Sequence, residues 1–231
     1  MTAEATIYVI CSDLARNGKT LLARTLTDHL LLEGRDPYCF DLSAPEGTLR
    51  AYFPGRTTLI DFSEAAARER LFGTILGMAG RDYVIDVAAN RLAEFREAAV
   101  NQGFPAAAQD AGFYLCVLYI VDRDEKSLHA AVSIEDALLP DLFVPVVNRF
   151  IGSALPEGVP GPTLVMTKID PELHAIISHR RFSLRNFMLG DNAGVPPRMQ
   201  ANLRNFLHGL QAGLREFEPA LSLRQLQATE I

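Results

Sequence analysis

The residues best equipped for chemistry lie together near the start of the chain, as Ser12-Asp13-Leu14-Ala15-Arg16-Asn17-Gly18-Lys19-Thr20. A strand-like run, Thr6 to Cys11, precedes them, and a helix-like run, Leu21 to Leu32, follows. Strand, loop, Gly-Lys-Thr, helix is the context in which backbone N–H groups and a helix N-terminus wrap a phosphate. Gly18 allows the backbone a close approach, Lys19 neutralises the β- and γ-phosphates, and the Thr20 hydroxyl ligates Mg²⁺. Arg16, Asn17 and Leu21 complete the expected cradle. The spacing departs from the full motif at one end, because Asp13 stands where its first glycine belongs. Aspartate tolerates left-handed backbone better than most residues. Its charge repels a triphosphate unless Arg16 or the metal compensates. Arg16 is read either as a phosphate contact or as a solvated loop arginine.

A magnesium nucleotide site also needs carboxylates at strand ends. Tyr83-Val84-Ile85-Asp86 and Tyr38-Cys39-Phe40-Asp41 are apolar runs that each end in aspartate. In open α/β sheets ligands gather at the carboxyl ends of strands, so both positions suit a site. Asp86 is the expected metal ligand beside Thr20. Asp41 is read either as a catalytic group that orients water or as the cap of a turn.

These residues need a scaffold, and hydrophobic periodicity supplies one. Ile7 to Ile10 and Phe113 to Val121 read as buried strands, and Leu142 to Val147 and Thr163 to Met166 as later ones. Pro145 inside the third of these predicts an irregular or edge position. Thr57 to Phe62 reads as a short strand. Helices are expected over Leu21–Leu32, Glu64–Ala79 with Ser63 as N-cap, Arg91–Val100, Glu125–Leu138, His174–Met188 and Arg198–Phe217. Alternating strands and helices predict a doubly wound, mostly parallel α/β sheet flanked by helices.

Length and composition agree. The 231 residues suit one domain, 1–231, and no composition break divides them; 218–231 reads as a tail that frays or contacts a partner. Hydrophobic content of 48% against 22% charged residues is that of a globular protein with a buried core. No run of 18 apolar residues predicts a membrane span, and the N-terminus lacks the basic start of a secretory signal. Cys11, Cys39 and Cys116 all fall in expected strands, which predicts buried thiols and a cytoplasmic location. The five histidines lack metal-ligand spacing. Met199, Leu203, Phe206, Leu207, Leu210, Leu214 and Phe217 form a helical stripe expected to pack on the sheet. Arg180, Arg181 and Arg185, with Phe182 and Phe187 nearby, are read either as a solvated face or as a weak nonspecific DNA contact.

The order of these motifs resembles the ParA/MinD group of P-loop ATPases, the deviant Walker A (SIMIBI) class. The resemblance rests on Asn17-Gly18-Lys19-Thr20, Asp41-Leu42-Ser43, Asp86-Val87-Ala88-Ala89 and Val146-Val147-Asn148-Arg149. It implies a three-layer P-loop fold, ATP and Mg²⁺ as cofactors, and an ATPase-type switch that positions a plasmid, chromosome or protein cargo. It further implies a homodimer, a cargo or adaptor protein as partner, and nucleotide contacts from Asn148 and Arg149, with Asn148 read either as a contact to adenine or as the cap of a strand end. The chain departs from the group at Leu14, where the lysine that reaches the partner's nucleotide belongs, and at Ser43, where a second switch aspartate belongs. Those departures favour a non-hydrolysing binding module on the same fold as a second reading. An ATP-dependent small-molecule ligase or kinase is a third.

Overall fold

The computed structural model describes residues 5–78, 80–152, 162–180, 182–192 and 194–228, with side chains of the last helix as far as Phe217. Seven parallel strands form one sheet: β1 Thr6–Cys11, β2 Tyr38–Asp41, β3 Thr57–Leu59, β4 Tyr83–Asp86, β5 Tyr114–Val121, β6 Leu142–Asn148 and β7 Leu164–Met166. Their spatial order is β3-β2-β4-β1-β5-β6-β7, which puts β1 between β4 and β5. Chain direction therefore reverses its lateral progress at β1, and this switch point opens a crevice at the carboxyl ends.

Strand alternation builds a core on each side of the sheet. Ile7, Val9 and Cys11 face one cluster, with Phe72, Phe95 and Ile134. That layer holds α2 Ala65–Gly77, α3 Leu92–Asn101, α4 Phe104–Asp110 and α5 Glu125–Leu138. Tyr8 and Ile10 face the other cluster, with Leu22, Leu26 and Phe206. That layer holds α1 Lys19–Leu32, α6 Pro171–Ile177, α7 Leu184–Met188 and α8 Pro197–Ala228. Helix, sheet, helix is the three-layer α/β arrangement that the alternation predicts. β1 and β5 are buried along their whole length, which explains why they read as unbroken apolar runs. The three cysteines are buried free thiols.

Several local expectations change. The span expected as one helix, 174–188, is two short helices, because Ser183 caps a fresh start by accepting from the Asn186 N–H. Ser63 does not cap α2; Glu64 holds that position while the Ser63 hydroxyl donates to Asp61. Helix α4 was hidden by its short length and small residues. Pro145 sits in an interior strand, yet β7 pairs with β6 only from Val146 onward, so β6 has an open flank at the proline. The α8 stripe is buried throughout, as packing on the sheet requires, and the helix continues past Phe217 to Ala228. No helix among the described residues is long and apolar enough to cross a membrane.

Candidate nucleotide site

The loop after β1 turns sharply into α1. Arg16 takes φ +57° and Gly18 φ +102°, both left-handed. Glycine is needed at 18 for a second reason: a Cβ there would lie 2.7 Å from Nδ2 of Asn148. Gly18 is the N-cap of α1 and has no side chain to cover the helix's first N–H groups. Those donors are left for an anion.

A hydrogen-bond chain fixes the loop from below. Ser12 Oγ donates to the Ile120 carbonyl at 2.8 Å and accepts from Asn17 Nδ2. Asn148 Nδ2 donates to the Asn17 carbonyl at 2.8 Å, while its Oδ1 accepts from the Phe150 N–H at 3.0 Å. Asp13 replaces the missing glycine with an anchor. Its carboxylate accepts from the Tyr119 hydroxyl at 2.8 Å and the Ser127 hydroxyl at 2.9 Å. Burial and the neighbouring Asp13 together raise the Tyr119 phenol, so it stays a donor. The Asp13 charge is thus turned toward β5 and α5.

Lys19 is buried, and its ammonium bends back to the Leu14 carbonyl and to Asn17 Oδ1, the latter at 3.1 Å. Burial pulls the amine below the ordinary lysine value, and the Asp86 charge opposes that shift. Thr20 Oγ1 donates to Asp86 Oδ2 at 2.7 Å. Burial pushes the Asp86 carboxyl up to about 7, reinforced by Asp41 and resisted by the Thr20 hydroxyl and Lys19. Asp41 and Asp86 lie opposite each other in the register of β2 and β4. Thr20 Oγ1 and the Asp86 carboxylate are hard oxygen donors, the type Mg²⁺ prefers. The residues present therefore fit that ion.

Asp41 is already engaged. Oδ1 accepts from the Ser43 N–H and hydroxyl, at 3.0 and 2.6 Å, and Oδ2 from the Leu49 and Arg50 N–H groups, at 2.7 and 3.0 Å. It fastens the loop that follows β2, which is the turn-capping alternative in enlarged form.

Two clefts flank Lys19. One, about 380 Å³, runs from Arg16 through Thr20 and Leu21 along α1 to Arg24, Tyr52, His174 and Ser178. The other, about 340 Å³, is bounded by Arg16, Thr20, Ser43, Glu46, Thr48, Asp86 and Asn90. A smaller hollow joins Asn148 and Gly18 to Phe150, Met166, Thr167 and His174, where the Phe150 and His174 rings stack 5.3 Å apart. Arg149 is exposed and borders none of these three. The structure therefore brings Arg16, Asn17, Gly18, Lys19, Thr20, Leu21, Asp86 and Asn148 together and leaves the Arg149 side chain outside.

Sequence reasoning missed Arg24, Tyr52 and Thr48. Arg24 is buried, donates to the carbonyls of Ile177 and Phe182, and lies 3.5 Å over the Tyr52 ring. Tyr52 donates to the Ser178 carbonyl at 2.7 Å. No periodic signal marks Arg24 and Tyr52, because the carbonyls they donate to lie 126 to 158 positions away. In the basic cluster Arg180 and Arg185 are exposed, while Phe187 is buried in the core; Arg181 lies outside the described residues.

No family model matches the chain, and no curated protein matches it. Solved structures similar to it include a nucleotide-binding protein from Archaeoglobus fulgidus in complex with ADP. That likeness has 12% identity and a TM-score of 0.46, covering 77% of this chain and 87% of the other. Another is the MinC:MinD cell division protein complex from Aquifex aeolicus, at 16% identity and a TM-score of 0.39, covering 63% of this chain and 69% of the other.

Proposed function

We propose that the chain binds a magnesium-complexed adenine nucleotide and uses it as a ParA/MinD-like switch for positioning a plasmid, chromosome or protein cargo. The observation that carries this reading is the conjunction at the start of α1. An uncapped helix N-terminus, a buried lysine and a threonine hydroxyl 2.7 Å from a strand-end carboxylate meet within one loop. Backbone N–H groups at Gly18 to Leu21 would bind the β-phosphate, and Lys19 would leave its carbonyl partner to neutralise the β- and γ-oxygens. Arg16, exposed at the junction of both clefts, would lie against the outer phosphate oxygens. Thr20 and Asp86 would hold Mg²⁺, which supplies charge neutralisation at the terminal phosphates. Asn148 braces the loop from beneath, and the base would rest toward Phe150 and His174.

The switch would run through the segment after β2. It borders the metal side of the cleft at Thr48 and is tied by Tyr52 to Ser178. Nucleotide state at Thr20 is thereby within mechanical reach of the connection between α6 and α7.

A second reading, a binding module that does not hydrolyse, is favoured by one observation. All four hydrogen bonds to Asp41 go to its own loop, so this carboxylate is not offered to an attacking water. Thermal unfolding with Mg-ATP, Mg-ADP and Mg-GTP separates the cases, because a ligand that binds only the folded chain raises its midpoint. Wild type should shift with the adenine nucleotides, and Lys19→Ala should not. Absence of any shift in wild type would overturn nucleotide binding. A shift without phosphate release would select the second reading.

A further inference from the structure

The segment 43–50 presents a hydroxyl to the metal side of the cleft. Thr48 is exposed and contributes nothing to either core, yet its position is tightly specified. Asp41 holds the Ser43 N–H on one side of it and the Leu49 and Arg50 N–H groups on the other. The Thr48 N–H donates to Ser43 Oγ at 3.1 Å. Thr48 Oγ1 then stands 3.3 Å from Thr20 Oγ1.

Proton placement makes that approach informative. The Thr20 proton goes to Asp86 Oδ2, and the Ser43 proton goes to Asp41 Oδ1. Ser43 Oγ, 3.0 Å from Thr48 Oγ1, is left able to accept the Thr48 proton. Thr48 can donate either to Thr20 or to Ser43; when it donates to Ser43, the Thr20 and Thr48 oxygens face each other with lone pairs, an arrangement that a cation between them stabilises. The spacing suits a small hard ion. Mg–O bonds of about 2.0–2.1 Å in an octahedron put neighbouring ligand oxygens about 2.9 Å apart. Thr20 lies 2.7 Å from Asp86 and 3.3 Å from Thr48, on either side of that value.

We propose that Thr48 is a further protein ligand of the nucleotide's Mg²⁺, supplied by the loop that Asp41 clamps; this rests on the magnesium-nucleotide reading above. Asp41 is then a positioning residue, acting on the metal through Thr48. Asp41 holds the loop against Thr20 before the ion arrives, and the ion would add a further tie between Thr48 and Thr20.

Calorimetric titration with a non-hydrolysable ATP analogue, with and without Mg²⁺, tests this in wild type, Thr48→Val and Thr48→Ser. Wild type should bind more tightly with Mg²⁺. Thr48→Val should lose about 10-fold of that gain, with metal-free affinity unchanged, and Thr48→Ser should keep it. Retention of the full gain in Thr48→Val would sink the proposal. So would tight binding by wild type with no Mg²⁺ effect, which leaves nucleotide binding intact. No binding by wild type under either condition would remove the nucleotide reading itself. Thr48 is exposed, so unliganded melting points of the three proteins should coincide.

Discussion

At the scale of single residues, charge burial decides most of what is unusual here. Lys19 and Asp86 are both withdrawn from water, and each weakens the other's desolvation shift. Asp28 on α1 is a third such group. Burial pushes its carboxyl up from 3.8 to about 6, against the pull of Arg24. The sign of the stability effect follows directly. A raised folded-state value favours the protonated acid, so the contribution is complete below pH 4 and is lost as pH rises through 6. Asp28→Asn should therefore match wild type near pH 4 and exceed it by about 3 kcal/mol at pH 7.5. Urea unfolding at the two pH values checks this; equal gains at both would refute the assignment.

The phosphate loop as an element is held by side chains that no local pattern announces. Asp13 alone looked like damage to a motif. In the fold it is a tether to β5 and α5, with partners 106 and 114 positions away. The same distance hid the role of Asn148, whose amide braces the loop carbonyl of Asn17. Removing the tether should loosen the loop before it affects the sheet. Asp13→Ala takes the acceptor away from the buried Tyr119 and Ser127 hydroxyls, at a cost of about 2 kcal/mol. Hydrogen exchange should speed up at residues 12–18 while β1 stays protected. Uniform acceleration along β1 and the loop would contradict a local tether. The loop after β2 obeys the same logic. A strand ending in aspartate was legible, whereas the four hydrogen bonds to that aspartate depend on a backbone conformation that residues 43–50 acquire only after folding.

For the molecule as a whole, the two faces of the sheet are not equally dressed. Among the described residues four helices cover each side, but α8 is long and packs over β7. Its fit is close at Gly213, where an added Cβ would approach Cδ1 of Leu164 to 2.6 Å. Leu164 is buried and has little room to yield. Gly213→Leu should cost about 1–3 kcal/mol by overpacking, measurable by denaturant unfolding. An unchanged midpoint would mean that α8 does not press on β7. The contact matters for the site because β7 pairs with Asn148 through Met166, and Asn148 carries the phosphate loop.

The chain's local chemistry determined the strands, the helices that follow them, and the Gly-Lys-Thr turn. Each depends on residues close in sequence: unbroken apolar runs, helical spacing, and a glycine before a lysine. The tertiary structure decided which charges meet. It turned Asp13 away from the cleft, committed Asp41 to its loop, set Arg149 outside, and brought Thr48 beside Thr20. Those outcomes depend on register between strands and on loops packed across the sheet, so they arise only when distant segments share one core.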